Sequence, residues 1–239
     1  MRTDTDTLEY EQLPKFMEEA DSLLFHLKKL SYEEAKKLWN CNEKIAACNY
    51  ERLEKMDLSH NLTPAVLSYD GIQYRYMAPG VFERKELAYM KEHLRILSGF
   101  YGYLNPFDGV VPYRLEMQAK LAGEGFRSLY EFWNKKPAEQ LFSESGCIVN
   151  LASVEYSKCI SSYLPRQAEY ITCIFGELIG GKVVEKGTLV KMARGEMVRF
   201  MAENQIEDIK GIKAFNRLDF TYSRELSDRT TYVFIREKE

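Results

Sequence analysis

The sequence has no apolar run long enough to cross a lipid bilayer, and its N-terminus, MRTDTDTLEYEQ, lacks the positive and then apolar residues of a secretory signal. These absences predict a cytoplasmic protein with no membrane partner. Histidine is scarce, at three residues, and the five cysteines form no C-x-x-C pair. Neither a disulfide framework nor a zinc site is therefore favoured. We expect buried free thiols at Cys41, Cys48, Cys147, Cys159 and Cys173.

Length and charge set broad limits. A chain of 239 residues with 45% hydrophobic residues can bury one substantial core, and no linker-like composition divides it. We predict one domain over residues 1–239, and a monomer. The net charge of -3 argues against a generally polycationic protein, although a local basic groove can still bind phosphates.

Periodicity predicts both helices and strands. Helical spacing runs through FMEEADSLLFHLKKL and, as a second helix, through SYEEAKKLWNCNEKIAACNYERLEKM, where Ser31 and Glu34 form a capping box. Alternation predicts a hairpin about Asp70-Gly71, a strand in GCIVNLAS, a hairpin about Gly180-Gly181 and a C-terminal hairpin in FTYSRELSDRTTYVFIRE. The fold class is therefore α+β, with a mixed sheet flanked by helices.

A further helix is predicted in TLVKMARGEMVRFMAENQI. Its apolar residues fall on one face, which leaves Lys191 and Arg199 opposite that face and Arg194 at its border. These cations fit a phosphate-binding surface and fit a solvated helix face equally well.

The stretch HLRILSGFYGYLNPFDGVVPYRLEM combines turn formers, aromatic residues and charges. The apolar spacing predicts a helix through Leu97, with Gly99 as its left-handed cap. Glycines at both ends of the turn GFYG would leave backbone N–H groups open to a phosphate. The stretch has neither a P-loop nor a dinucleotide-binding motif, and it is closer to a helix-hairpin-helix, although Pro106 limits the second helix.

Three blocks in order, HLRILSGFYGYLNPFDGVVPYRLEM, IVNLASVEYSK and KMARGEMVRF, resemble the YaaA peroxide-stress family. The resemblance implies a cytoplasmic bacterial protein that limits oxidative damage during peroxide stress, helps restrain free iron, and binds DNA through a helix-hairpin-helix beside a positive cleft. The family begins with a strand ending in SPAK, whereas the first residues of this chain resemble the family's residues after SPAK. The resemblance thus implies a missing strand and an exposed sheet edge. Gln118 also stands where the family usually has Gly.

The resemblance places the polar residues of these blocks in one cleft. The DNA-binding candidates are Arg95, Ser98, Gly99, Tyr101, Gly102, Tyr113, Arg114, Lys191, Arg194 and Arg199. The other cleft candidates are Asp108, Glu116, Asn150, Ser153 and Glu155. Cations and tyrosines suit a phosphate backbone and stacked bases, while acids repel phosphate unless they are paired. Arg114 and Glu116 are as compatible with an ion pair as with ligand binding.

The alternative is an enzyme that acts on a nucleotide or nucleic acid. Asp108, Glu116 or Glu155 would be its general acid or base, and Ser153 or Cys147 its nucleophile, but no triad with histidine selects among them. A direct iron site is disfavoured because Glu-x-x-His pairs and cysteine clusters are absent from the sequence. We predict DNA binding through the phosphate backbone, without cofactor or metal, as the activity, and protection against peroxide stress as the role.

Overall fold

The computed structural model describes residues 1–237, which form two units, each assembled from separate stretches of the chain. The first unit consists of Met1–Tyr69, Arg95–Ser143 and Ser153–Tyr163. The second consists of Asp70–Leu94, Glu144–Ala152 and the chain from Leu164 onward. The single-domain prediction stays a prediction. No helix in the described part of the chain is both long and apolar enough to span a membrane.

Runs of helices and runs of strands follow one another along the chain, so the predicted α+β class is confirmed. The α-helices are α1 (Met17–Lys28), α2 (Tyr32–Trp39), α3 (Glu43–Glu54), α4 (Ala65–Ser68), α5 (Ile72–Met77), α6 (Arg84–His93), α7 (Leu129–Trp133), α8 (Lys136–Glu144), α9 (Val154–Ser161) and α10 (Gly187–Glu203). Short 3-10 helices cover Pro79–Val81 and Ile209–Ala214. The strands are β1 (Thr63–Pro64), β2 (Ile96–Ser98), β3 (Gly102–Leu104), β4 (Gly109–Val110), β5 (Cys147–Asn150), β6 (Glu169–Ile179), β7 (Lys182–Val184), β8 (Phe220–Ser223) and β9 (Thr231–Arg236).

The N-terminal helices differ in one respect from their prediction. The capping box of Ser31 and Glu34 begins α2 as expected. The single helix predicted after it is wrong, because Asn40 adopts a left-handed conformation and ends α2. Asn42 then begins α3, its side chain accepting a hydrogen bond from the N–H of Ile45. Asparagine tolerates the left-handed region and caps helices well, so two asparagines separate the helices.

The glycine turn of the first unit joins two strands. The helix predicted through Leu97 is wrong: α6 ends at His93, and Ile96 to Ser98 form β2, which pairs antiparallel with β3. A helix-hairpin-helix is therefore not confirmed at this turn. The apolar spacing over these few residues fits a strand as well as a helix, and pairing with β3 decides between them.

The second unit contains a mixed sheet with the order β5-β6-β9-β8, and β7 pairs with β6 beyond this path. β6 is parallel to β5 and to β9, whereas β8 is antiparallel to β9. The predicted hairpins about Gly180-Gly181 and at the C-terminus are confirmed, as are the strand β5 and the helix α10. Phe175, Phe234 and Met197 belong to the buried core that the sheet shares with α10.

Two further predictions are wrong. The hairpin expected about Asp70-Gly71 is replaced by the helices α4 and α5, and α5 packs against α10 within the second unit. The cysteines are not all buried: Cys48 and Cys147 are exposed, and only Cys159 and Cys173 are fully enclosed. Because α3 buries Ala46 and Leu53, its Cys48 lies on the outer side, and Cys147 begins an edge strand.

Candidate functional site

The glycine turn of the first unit is closed to a ligand in this structure. The buried Ser98 Oγ accepts hydrogen bonds from the N–H groups of Phe100 at 3.2 Å and Tyr101 at 2.8 Å. A Cβ at Gly99 would lie 2.3 Å from the carbonyl oxygen of Leu115. The turn amides are thus used within the protein, and the geometry does not support the expected phosphate grip at this turn.

Tyrosine hydroxyls extend this buried arrangement. Tyr113 lies at the centre, with its hydroxyl 2.6 Å from Ser98 Oγ and 2.7 Å from the Tyr69 hydroxyl. Burial raises the pKa of Tyr69 to about 12 and the pKa of Tyr113 well above its ordinary value. Tyr101, a further candidate, is 1% exposed, and its hydroxyl accepts from the N–H of Val111 at 3.3 Å. These phenols stay neutral at pH 7 and hold the turn in place.

Asp108 is enclosed as well, with no exposed surface. Its carboxylate accepts 2.8 Å hydrogen bonds from Gln12 Nε2 and from the backbone N–H of Asn105. Burial raises the pKa of the carboxyl group, while these hydrogen bonds and the charge of Arg95 oppose that shift. Arg95 itself donates from Nε to the Tyr103 hydroxyl at 2.7 Å. Asp108 therefore fixes a loop and does not face a ligand.

The acids Glu116 of the first block and Glu155 of the second already have partners. Arg114 Nη2 lies 2.9 Å from Glu116 Oε1, so the ion-pair interpretation of these residues is confirmed. Glu155 accepts from the backbone N–H of Gln118 at 3.1 Å. Ser153 is the N-cap residue of α9, and its side chain makes no capping hydrogen bond. Each histidine contacts another residue: His60 lies beside Asp57, His93 beside Glu207 and the His26 ring beside Phe126.

Asn150 has a structural position at the end of β5 in the second unit. Its Nδ2 donates to Thr172 Oγ1 at 3.2 Å, and its Oδ1 accepts from the N–H of Ala152 at 3.0 Å. The side chain is 7% exposed. It therefore links β5 to β6 and turns the chain at the end of the strand.

The cations of α10 have unequal surroundings. Lys191 is exposed and has no ion pair or hydrogen bond within residues 1–237. The Arg194 side chain is only 12% exposed, its Nη2 is 3.8 Å from Glu185, and its Nε has no partner in the same part of the chain. Burial lowers the pKa of Arg194, and the charge of Glu185 opposes that shift. Arg199, in contrast, donates to Glu203 at 2.7 Å.

A network around Arg217 was not found from the sequence. Arg217 donates to Glu196 at 3.0 Å and also pairs with Glu203, which Arg199 contacts. Only the i,i+4 spacing of Arg199 and Glu203 signalled any part of it. Arg199 is consequently neutralised, and Lys191 with Arg194 are the candidate cations of α10 whose charge is least compensated.

The first unit also contains a cavity of about 380 Å³ that includes none of the candidate residues. The Lys158 ammonium lies 4.8 Å from the centre of the Tyr130 ring at its wall. The lining residues are Ser128, Tyr130, Glu131, Asn134, Lys158, Cys159, Ser162 and Tyr163. Throughout residues 1–237, no group of three or more His, Cys, Asp or Glu side chains is placed to hold a metal ion.

Comparison with known proteins gives a match across nearly the whole chain. Residues 1–226 match the family described as peroxide stress protein YaaA. A UPF0246 protein of Desulfitobacterium hafniense is 56% identical over 236 residues, which cover 99% of this chain and 94% of the relative. UPF0246 proteins of Lachnoclostridium phytofermentans and Pediococcus pentosaceus are 54% and 48% identical, over 93% and 100% of this chain and 88% and 95% of theirs.

Proposed function

Because the chain belongs to the peroxide stress protein YaaA family, we propose that it serves the peroxide stress response by binding DNA through the phosphate backbone. In this proposal, DNA binding protects the bound DNA and supports the limitation of free iron. The contact surface lies on α10 of the second unit.

The weakly compensated charge of Arg194, whose Nε also has no hydrogen-bond partner among residues 1–237, is the observation that carries the proposal. Buried polar groups almost always have hydrogen-bond partners, so an orphaned guanidinium N–H calls for an acceptor. Its nearest carboxylate, on Glu185, is 3.8 Å away and leaves the charge poorly compensated. A phosphate at the exposed edge of the guanidinium would compensate its charge, since guanidinium groups bind phosphate through charge-assisted hydrogen bonds.

Lys191 adds a second cation on the same side of the helix. It precedes Arg194 by three residues, and residues at this spacing are neighbours on a helix surface. No acidic residue lies in the first turn of α10, and no side chain caps its N-terminus. The N–H groups of that turn and the helix dipole therefore add to the positive potential at this end of α10.

The other candidates have supporting positions. Ser98, Tyr101, Tyr113 and Asp108 are buried, and Arg114 and Arg199 are paired with acids. No catalytic role is proposed, because the acids at residues 116 and 155 already bind protein groups. That the three blocks converge on one cleft stays a prediction.

The experiment is a salt titration of DNA binding with the parent protein and with Lys191→Gln/Arg194→Gln. We expect binding with little sequence preference that weakens steeply with salt. Each lost phosphate contact reduces the magnitude of the salt slope by about one unit for duplex DNA. Arg199→Gln is the matched control on the same helix, and its slope should equal that of the parent because Arg199 is already neutralised.

Binding without salt dependence, or an unchanged slope in the double variant, would contradict the proposal. The single variant Lys191→Gln tests the proposal even if the double variant misfolds. Lys191 is exposed, so its replacement leaves the core intact. Its slope should fall by about half as much as that of the double variant.

A further inference from the structure

The cavity lined by α7 and α9 of the first unit has a volume of about 380 Å³. Ligand sites in proteins commonly measure about 300–1,000 Å³, so this cavity suits a small molecule. Tyr130 and Glu131 of α7 contribute to its lining, as do Lys158 and Cys159 of α9. The Tyr130 hydroxyl donates to the carbonyl oxygen of Glu155 at 2.8 Å, and Cys159 is 3% exposed. The helices that form the wall are thus held together by a hydrogen bond and by burial.

The two charged side chains of the lining have opposite signs and are not paired with each other. Lys158 Nζ lies 4.8 Å from the centre of the Tyr130 ring and has no ion pair or hydrogen bond among residues 1–237. Glu131 Oε2 lies 3.4 Å from Nε of Arg127, whose side chain is 91% exposed. Exposed pairs of this kind contribute little. A cation and an acid therefore line one cavity with weak compensation of either charge.

Asn134 lines the same cavity in a strained backbone conformation. Its φ of 47° and ψ of -132° place it in a region that favours glycine. Glycine would relieve this strain, whereas asparagine supplies an amide that makes no hydrogen bond to another residue of the described chain. Backbone strain of this kind is concentrated at functional sites such as ligand clamps. The conformation of Asn134 is an observation independent of the two charges.

We infer that this cavity binds a free α-amino acid with an apolar side chain. Glu131 accepts from the ammonium group of the ligand, while Lys158 and the Asn134 amide donate to its carboxylate. The apolar side chain of the ligand contacts the rings of Tyr130 and Tyr163. A zwitterion is selected because an anion alone is repelled by Glu131 and a cation alone is repelled by Lys158.

The test is isothermal titration calorimetry with three probes of matched shape. L-Phenylalanine has both charges, phenethylamine lacks the carboxylate, and 3-phenylpropionate lacks the ammonium group. We expect L-phenylalanine to bind with one-to-one stoichiometry and at least about tenfold more tightly than either analogue, since each analogue loses charge-assisted hydrogen bonds.

Two charge substitutions assign the ends of the ligand. Lys158→Gln should weaken binding of L-phenylalanine about tenfold and leave the affinity for phenethylamine unchanged. Glu131→Gln should weaken L-phenylalanine to a similar extent and leave the affinity for 3-phenylpropionate unchanged. Lys44→Gln, at an exposed lysine of α3 outside the cavity lining, is the matched control and should bind like the parent. Circular dichroism and thermal melting establish that each variant is folded.

Asn134→Gly distinguishes ligand binding from a structural role. Glycine adopts the observed backbone conformation without strain, so the midpoint of urea unfolding should rise. Loss of the amide should at the same time weaken binding of L-phenylalanine about three- to tenfold. An unchanged affinity in this variant would contradict the role given to Asn134.

Other outcomes overturn the inference as a whole. Failure of the folded parent to bind L-phenylalanine excludes the site. Equal affinity for the three probes shows apolar contact without recognition of a zwitterion. An affinity for L-phenylalanine that survives both charge substitutions places the ligand elsewhere on the protein. DNA is absent from these titrations, and the cavity and α10 belong to different units, so the proposed DNA binding can fail without affecting this inference.

Discussion

Gly195 on α10 faces the carbonyl oxygen of Gln73 on α5 so closely that a Cβ at residue 195 would lie 2.1 Å from that oxygen. The glycine of the block KMARGEMVRF therefore allows two helices of the second unit to pack with their backbones in contact. Its role is packing, and the adjacent Arg194 carries the proposed binding function.

We predict that Gly195→Ala lowers the free energy of unfolding by about 1–3 kcal/mol, because the added methyl group must displace a backbone and not a flexible side chain. The higher helix propensity of alanine offsets only part of this, at about 1 kcal/mol. Urea denaturation followed by circular dichroism measures the change. Gly187→Ala, where nothing lies within 4 Å of the added Cβ, should stay within about 0.5 kcal/mol of the parent.

Gly102 combines two constraints. Its φ is +69°, and a Cβ there would lie 2.6 Å from the ring of Trp133. Trp133 donates from its indole Nε1 to the carbonyl oxygen of Gly99 at 2.9 Å, so the ring cannot move freely. We expect Gly102→Ala to cost about 2–4 kcal/mol from backbone strain and overpacking together. Tryptophan fluorescence during urea unfolding measures this loss.

Comparison with Gly125→Ala separates backbone strain from overpacking as causes of the stability loss in Gly102→Ala. Gly125 has a φ of +84° and nothing within 4 Å of a Cβ, so only the backbone strain of about 1–2 kcal/mol applies. Equal losses at residues 102 and 125 would show that the contact with Trp133 contributes nothing.

Tyr113→Phe removes the central hydroxyl between Ser98 and Tyr69. The predicted loss is about 1–3 kcal/mol, since two buried hydroxyls each lose a partner. Thermal and urea unfolding provide the measurement. Tyr10→Phe, at a residue that is 44% exposed, is the control and should be nearly neutral. A neutral Tyr113→Phe variant would mean that the hydroxyls find other partners.

Cys147 should react slowly despite its exposure. Partial burial of its sulfur and the charge of Glu169, its register partner on β6, raise the pKa of the thiol. Since the thiolate is the reactive form, a raised pKa lowers its fraction at pH 8. Glu169→Gln removes the charge, lowers the pKa and should speed alkylation of Cys147 about two- to fivefold, as followed by mass spectrometry.

Other thiols of the chain provide the controls for that rate. Cys48, exposed on α3, should react equally fast in the parent and in Glu169→Gln. Cys159 and Cys173, whose pKa values burial raises to about 12, should react only after unfolding. Rapid oxidation of Cys147 by peroxide in the parent protein would instead indicate a redox sensor.

The sequence by itself determined the elements that are stabilised by residues close to one another in the chain. The capping box at Ser31, the Gly180-Gly181 turn and the helical spacing of apolar residues in α10 each depend on neighbouring residues, and each is found where the sequence predicts it. The family is equally a property of the sequence, because it rests on blocks of residues in order.

Tertiary structure decided the elements and roles that depend on distant partners. Residues 96–98 become a strand because β3 pairs with them, and residues 72–77 become a helix that packs on Gly195. Tertiary structure also decided which polar groups have partners: Ser98 binds its own turn, while Arg194 Nε has no acceptor among the described residues. A sequence shows residue types and the period at which they recur. The burial of a side chain and the pairing of a strand depend on distant residues that folding brings into contact with them.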